Sequence, residues 1–377
     1  MIPLAPLAAS LPATVPFTGP EALERRMGRP FLARLGANES AFGPSPQAVE
    51  AIEGAARDAW MYGDPEAFEL REAVADAHGL PPAHVALGQG IDGLLGLLVR
   101  LTVAPGTPVV TAQGAYPTFD YHVAGFGGHL LRVPREDRID PLALARRARE
   151  AGARLLYLSS PDNPMGHQHD AALIPRLLDA LPPACLLLLD EAYAELAPDG
   201  SLPRLDPADD RAVRLRTFSK AHGLAGLRVG YALGPAPLLA ALDRVRDHFG
   251  LGRVAQEGAL AAIRDRAWPL LVRDRVARGR ARIEAIARDA GLAPLPSAAN
   301  FVLLDCGEAA VADRLLAALA RRGVFARKPL VAPIARCLRV TVGPDEALDA
   351  LAAALPPALA EARLPGAGPL TTSGGHP

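Results

Sequence analysis

The chain has 377 residues, 40 Lys+Arg against 41 Asp+Glu, and half of its residues are hydrophobic. That length and apolar content suit a compact protein with two cores, and a net charge of −1 leaves no electrostatic footprint for nucleic acid or an anionic membrane. Three widely spaced cysteines, Cys185, Cys306 and Cys337, are odd in number and two lie in apolar runs. Free buried thiols in a reduced, cytoplasmic setting are therefore expected, with no disulfide framework and no metal site.

The stretch through Phe17 is apolar but broken by prolines and lacks a basic segment, which reads as part of an extended arm (1–35), not a signal peptide. No apolar run approaches membrane-spanning length. From about residue 45 to 235, short apolar runs alternate with amphipathic helical stretches. The pattern predicts an α/β domain (36–255) with a mostly parallel seven-stranded sheet and helices on both faces. Its strands are expected at 83–87, 108–112, 129–133, 153–158, 185–189, 212–217 and 229–233. Helical patterns dominate from 236 to about 290, ending in a long helix from Trp268 to Ala290. A smaller α+β domain (256–364) follows, with strands at Phe301 to Asp305 and Cys337 to Val342 and helices near 308–323 and 345–363. The tail, 365–377, is rich in Gly, Pro, Ser and Thr and is expected to be disordered.

Chemistry concentrates where predicted strands end, as it does in open α/β sheets. Only two of the 40 basic residues are lysines, Lys220 and Lys328. A chain so biased toward arginine keeps lysine where a guanidinium cannot serve, and a neutral amine can attack a carbonyl. Lysine is ordinarily a solvated surface residue, but Lys220 lies among Thr217, Ser219 and Arg228, which offer two hydroxyls and a guanidinium to a phosphate dianion. An amine nucleophile beside a phosphate cradle points to pyridoxal 5'-phosphate.

Such a cofactor needs a carboxylate against its ring nitrogen, and Asp190 closes the run Leu186-Leu187-Leu188-Leu189. A strand-end or capping role is the ordinary fate of such an Asp. Tyr193, three residues on, and Asn163, in the loop Ser159 to Gly166, are candidates to tune the cofactor's phenolic oxygen. Gly88-Gln89-Gly90-Ile91-Asp92-Gly93 precedes a helical pattern whose first N–H groups suit a phosphate, although a plain strand-to-helix turn explains the glycines equally well. Ala115-Tyr116-Pro117-Thr118-Phe119 offers an aromatic face. Arg339 is a charge inside the apolar run Leu338 to Val342; it needs an anion, either a substrate carboxylate or an internal acid.

Taken together and in this order, these segments resemble the fold-type I pyridoxal-phosphate aminotransferases of class I/II, most closely the histidinol-phosphate aminotransferase branch. The resemblance covers nearly the whole chain, from Leu35-Gly36-Ala37-Asn38-Glu39-Ser40 and Tyr62-Gly63-Asp64, through Asp190 to Tyr193 and Arg216 to Arg228, to Ala299 to Val302 and Leu338 to Gly343. It implies that Lys220 carries the cofactor, Asp190 pairs with the ring nitrogen, and Asn163 and Tyr193 contact the phenolic oxygen. Phe119 would stack on the ring; backbone at Gly90 and Ile91, with Asp92, Thr217, Ser219 and Arg228, would surround the phosphate. Arg339 would hold the substrate carboxylate with Asn38 beside it. The family also implies a homodimer in which Tyr62 reaches into the partner's site, small-molecule amino acid and 2-oxo acid substrates, and ping-pong transamination.

Three departures bear on the substrate. Phe17 stands where the branch usually has a phosphate-binding tyrosine, although Arg327, matching a phosphate-binding arginine, is retained. The familiar Asn-Pro-Asn-Asn-Pro-Thr-Gly loop carries Asp162, which would repel a phosphorylated substrate if it faced the pocket. The usual asparagine-rich turn reads His248 to Arg253. With Phe17, Tyr116, Phe249 and Leu251 as expected lining, an aromatic or other hydrophobic amino acid competes with histidinol phosphate. The scaffold also supports lyase, decarboxylase and cyclase chemistry. A non-catalytic cofactor-binding regulator would want a DNA-binding module, and no such signal precedes Asn38.

Overall fold

The computed structural model describes residues 3–11, 18–203, 205–207 and 209–364. Phe17 and the 365–377 tail lie outside the described residues. Among the described residues, twelve strands form three sheets. The first, β1 (Ala33–Arg34), is followed by seven that build the central sheet: β2 (Val85–Gly88), β3 (Pro108–Ala112), β4 (His129–Val133), β5 (Leu155–Ser159), β6 (Leu186–Asp190), β7 (Ala212–Thr217) and β8 (Gly230–Leu233). The remainder are β9 (Ala293–Leu295), β10 (Phe301–Asp305), β11 (Val324–Phe325) and β12 (Cys337–Thr341).

The central sheet runs β2-β8-β7-β6-β5-β3-β4. All pairings from β7 to β4 are parallel, and only β8 runs against its neighbours β7 and β2. Interior strands of a covered parallel sheet bury both faces, which is why β5 (LLYLS) and β6 (LLLLD) are apolar almost throughout. Successive side chains still part to opposite faces. Leu155, Tyr157 and Leu188 pack with the helices Gly90–Thr102 and Pro117–Gly125, whereas Leu156, Leu158, Leu187 and Leu189 pack with Pro141–Ala151 and Leu173–Ala180.

A second core gathers on the antiparallel sheet β12-β10-β9 and the helices Ala267–Asp289, Ala309–Arg321 and Asp345–Arg363. Three expectations need correction. The N-terminal arm is not extended throughout: Pro6–Ala9 and Pro20–Met27 are helical, since proline suits a first helical turn. Residues 33–35 belong to the smaller core, because β1 pairs in parallel with β11 and Leu35 packs there. The expected break at 255/256 falls inside the helix Arg253–Arg264, which packs on Pro46–Ala56 and Phe68–His78 of the larger unit. The chain passes from that helix to Ala267–Asp289 through Asp265 and Arg266.

Candidate active site

A cavity of about 450 Å³ opens at the carboxyl ends of β5, β6 and β7, in the crevice such a sheet leaves for ligands. Ten of the residues singled out in the sequence form its wall: Ile91, Asp92, Tyr116, Asn163, Asp190, Tyr193, Thr217, Ser219, Lys220 and Arg228. Strand register accounts for part of this meeting, because Ser159 pairs with Asp190 and Asp190 with Leu215, which sets Thr217 and Lys220 just beyond the same edge.

The Lys220 Nζ donates to the Asn38 carbonyl at 2.9 Å and stands 5.8 Å from the Tyr193 ring centroid. It has no carboxylate partner among the described residues. Burial, then the charges of Arg339 and Arg228, lower its pKa to about 8, so its neutral fraction near physiological pH, though a minority, far exceeds that of an ordinary lysine. Lys328, by contrast, pairs with Asp313 at 2.6 Å and its side chain is almost buried.

Asp190 is the complementary case. One carboxylate oxygen accepts from the Tyr157 hydroxyl at 2.7 Å, the other from the Ala192 N–H at 3.0 Å, and no cation among the described residues pairs with it. Burial raises its pKa to about 6 against the opposing pull of Tyr157. A cationic N–H brought to this carboxylate would find a buried acid without a counter-charge.

Across the cavity, Gly90 (φ 71°) opens the helix Gly90–Thr102, and a Cβ there would stand 2.7 Å from the Arg228 guanidinium. Arg228 itself is left-handed (φ 55°) and reaches toward Ser219 Oγ at 3.4 Å. The Thr217 hydroxyl donates to Ser219 Oγ at 2.9 Å. Asp92 holds this side together, accepting from the Tyr116 hydroxyl at 3.1 Å and lying 3.8 Å from Arg228. Helix N–H groups, two hydroxyls and a guanidinium thus converge as anion donors.

On the smaller core's side, Arg339 donates to Asn163 Oδ1 at 2.7 Å and to the Gly36 carbonyl at 3.1 Å, while its Nε is buried without an acceptor. It has no acid partner among the described residues, so the internal salt bridge that a buried arginine ordinarily makes is not its fate here. Burial lowers its pKa to about 10, and neighbouring Arg327 pushes the same way. Those two arginines exchange backbone hydrogen bonds, at 3.2 and 2.6 Å. Asn38 (φ 55°) is pinned by Thr341, whose hydroxyl donates to its Oδ1 at 2.9 Å, and by Asn300, which donates to its carbonyl at 3.1 Å. Its own amide donates to the Tyr193 hydroxyl at 3.0 Å, while burial raises the Tyr193 pKa to about 12.

Asn38, Gly90, Arg327 and Arg339 stand behind the wall and do not form it, and several expected residues fall elsewhere. Phe119 does not reach the wall: it is fully buried and stacked on Tyr157 (centroids 4.6 Å, 18°), and Tyr116, at the cap of the same helix, lines the cavity instead. Tyr62 does not line the cavity; it is largely exposed and in contact with Phe249 (centroids 4.7 Å). Phe249 and Leu251 are likewise absent from the wall; Leu251 borders a separate cavity of about 480 Å³ beside Asp64, Gln89 and His248. Asp162 does not face the pocket either, because it is buried in an ion pair with Arg135 at 2.8 Å. Phe17 is among the undescribed residues. Tyr157 is the contributor most completely missed in the sequence; its only signal was a hydroxyl inside an otherwise aliphatic strand. The three cysteines are buried free thiols, and no helix among the described residues is long and apolar enough to cross a membrane.

Comparison with known proteins follows the same lines. The sequence profile of the family "Aminotransferase class I and II" matches residues 32–355. The solved structure of histidinol-phosphate aminotransferase from Sinorhizobium meliloti, in complex with pyridoxal-5'-phosphate, superposes with a TM-score of 0.91 at 48% identity, covering 95% of this chain and 97% of that one. Histidinol-phosphate aminotransferase of Jannaschia sp. is 38% identical over 83% of this chain and 87% of its own. That of Roseiflexus castenholzii is 34% identical over 92% and 96%. The chain belongs to the class I and II aminotransferase family, with the fold-type I architecture and pyridoxal-phosphate dependence of that class. Within it, it falls in the histidinol-phosphate aminotransferase branch.

The cavity suits that cofactor on its own chemistry. An aldehyde, a protonatable ring nitrogen and a phosphate dianion call for a neutral amine, an unpartnered buried acid and a cluster of anion donors. Lys220, Asp190 and the Gly90/Thr217/Ser219/Arg228 group are those three things.

Proposed function

We propose that this aminotransferase moves an amino group between histidinol phosphate and a 2-oxo acid, in ping-pong alternation. The observation that carries the substrate is the adjacent pair Arg327 and Arg339. Two neighbouring guanidiniums disfavour each other's charge, and Arg339 faces no acid, so a doubly charged phosphate ester matches them better than a single carboxylate. With Asp162 turned into its ion pair and Phe249 and Leu251 outside the wall, two objections to a phosphorylated substrate lose their force.

Pyridoxal phosphate, when bound, supplies an electron sink for charge developing at the substrate Cα. Asp190, held by Tyr157 and the Ala192 N–H, keeps the ring nitrogen protonated. Gly90, Ile91, Thr217, Ser219 and Arg228 anchor the phosphate end, Asp92 steadies Tyr116 and Arg228 beside it, and Asn163 and Tyr193 take the phenolic oxygen. Lys220 holds the cofactor before substrate enters and then moves a proton at the substrate Cα, a task suited to an amine with a pKa near 8. Arg339, steadied by Asn163 and by Asn38's neighbourhood, orients the substrate anion so that the Cα–H bond faces Lys220. Arg327 assists it, and Tyr116 in place of Phe119 covers the ring.

The larger unit, 36–265, holds the cofactor, and the smaller, 266–364, brings Arg327 and Arg339 to it. Exposed Trp60, Tyr62 and Phe249 support a homodimer in which Tyr62 completes the partner's site. Three reduced thiols support a cytoplasmic enzyme.

The test is single-turnover absorbance of the cofactor-loaded protein with histidinol phosphate, then with a panel of L-amino acids. Complete conversion of the cofactor band by histidinol phosphate at micromolar concentration is expected. Conversion by aromatic or aliphatic amino acids alone would replace the substrate, and conversion by no donor would replace transamination with another reaction of the scaffold.

A further inference from the structure

We propose that Arg135 and Asp162 form a positioning device for the substrate-anion site, an inference that rests on Arg339 holding that anion. Asp162 is buried and uses every polar atom it has. Its Oδ2 accepts from Arg135 Nη2 at 2.8 Å and its Oδ1 from Ser159 Oγ at 3.1 Å. Its N–H donates to the His167 carbonyl at 2.8 Å, and its own carbonyl accepts from the Gly166 N–H at 2.7 Å. The carboxylate therefore organises the loop between Ser159 and Gly166 from its centre, and the next residue, Asn163, presents the Oδ1 that receives Arg339.

Arg135 comes from the loop after β4, two strands away from β5 in the sheet. Its side chain is as buried as that of Asp162, and its Nη1 has no acceptor, so the guanidinium depends on the aspartate for its counter-charge. The same Nη2 that grips Asp162 donates to the Asp137 carbonyl at 3.0 Å. The Asp137 carboxylate in turn takes Arg336 at 2.7 Å, three residues before Arg339 on the approach to β12. Arg135 thus reaches both partners of the Asn163–Arg339 contact, through Asp162 on the loop and through Asp137 and Arg336 at the entry to β12. It links a crossover loop of the large sheet to the register of the small one.

An asparagine at 162, as in the commoner form of this loop, would leave Arg135 charged and alone. The experiment is a cycle of Asp162→Asn, Arg135→Gln and the double variant, with Arg339→Gln as control and Arg135→Lys as a milder variant that keeps the charge. Calorimetry on the holoenzyme measures binding of 3-phenylpropyl phosphate, a phosphate monoester without an amino group, and steady-state kinetics separate KM from kcat. Each single neutral variant is expected to weaken binding and raise KM by about 10-fold with kcat within about two-fold, and the double variant to recover most of the loss. Additive losses, or lowered thermal stability with unchanged binding and KM, would overturn the device. If Arg339→Gln leaves binding unchanged, the anion site itself is misassigned and the device falls with it; if only Arg339→Gln matters, the site stands and the device alone fails.

Discussion

Two groups of buried cations in this molecule are built in opposite ways. Arg216, at the end of β7, contacts Glu191 at 2.9 Å and Glu195 at 3.2 Å, and Arg214 joins the same Glu191 at 3.0 Å. Burial alone would lower the Arg216 pKa, but Glu191 and Glu195 outweigh it and the net shift is upward. Lys220, on the loop after β7, and Arg339, on β12, have no acid partner among the described residues, and burial holds both below their ordinary values. Where a cation serves the fold, its counter-charge is part of the chain. We read Arg339 as left to take its counter-charge from a ligand, and Lys220 as left unpaired so that its amine can lose its proton.

The comparison breaks most visibly at Lys220. Lys220→Arg keeps the charge and removes the titratable amine, so kcat is expected to fall by at least about 10⁴-fold, roughly 5.5 kcal/mol of barrier, with protein still folded. Near-normal turnover in that variant would remove the amine from the reaction. Arg216→Gln should do the reverse. It leaves Glu191 and Glu195 buried with too little positive charge, and urea unfolding should show a loss of about 3–5 kcal/mol with KM unchanged. Arg339→Gln should cost about 100-fold in kcat/KM, roughly 2.7 kcal/mol, carried by KM, with no loss in the same unfolding experiment. If it destabilises as Arg216→Gln does, the two groups are not different in kind.

Asp190 is the mirror image, a buried acid awaiting a cation, and Tyr157→Phe removes the hydroxyl that holds it. A fall of about 10-fold in kcat is expected, in the range of a hydrogen bond to a charged group, with the cofactor's long-wavelength absorbance shifted toward its unprotonated form. The smallest effect sharpens the link between the cavity's own cations. Uptake of pyridoxal phosphate by the apo-protein should rise with pH through a midpoint near 8, because the neutral amine is the reactive form and predominates above its pKa. Arg339 lowers that pKa, so Arg339→Gln should move the midpoint to higher pH; no movement would mean burial alone sets the amine.

Much of this architecture is legible in the chain because apolar runs and strand ends are local signals. Leu186 to Leu189 followed by Asp190 announces both a covered strand and a polar group at its carboxyl end, and all seven central strands lie where such runs predict them. What escaped depends on direction or on distant partners. Tyr116 and Phe119 are near neighbours in sequence, yet a helix starting at Pro117 turns the latter into the core and leaves the former at its mouth. Asp162 seemed a threat to a phosphate until Arg135, 27 residues earlier, was found to hold it. Tyr157 is indistinguishable from a core residue until its hydroxyl is seen on Asp190. The break expected at 255/256 failed because one continuous helix gives no sign in its own pattern of which core it will join.

The near absence of lysine has a consequence for life in a solution of reactive metabolites. Of the two lysine amines, Lys220 sits in its cavity and Lys328 lies against Asp313 with its side chain almost buried. The rest of the positive surface is guanidinium, which does not condense with simple aldehydes under mild conditions. A protein that must meet a free aldehyde cofactor and a stream of carbonyl compounds thus offers side-chain amines at two places only, and its selectivity toward them is written into its composition as well as into its pocket.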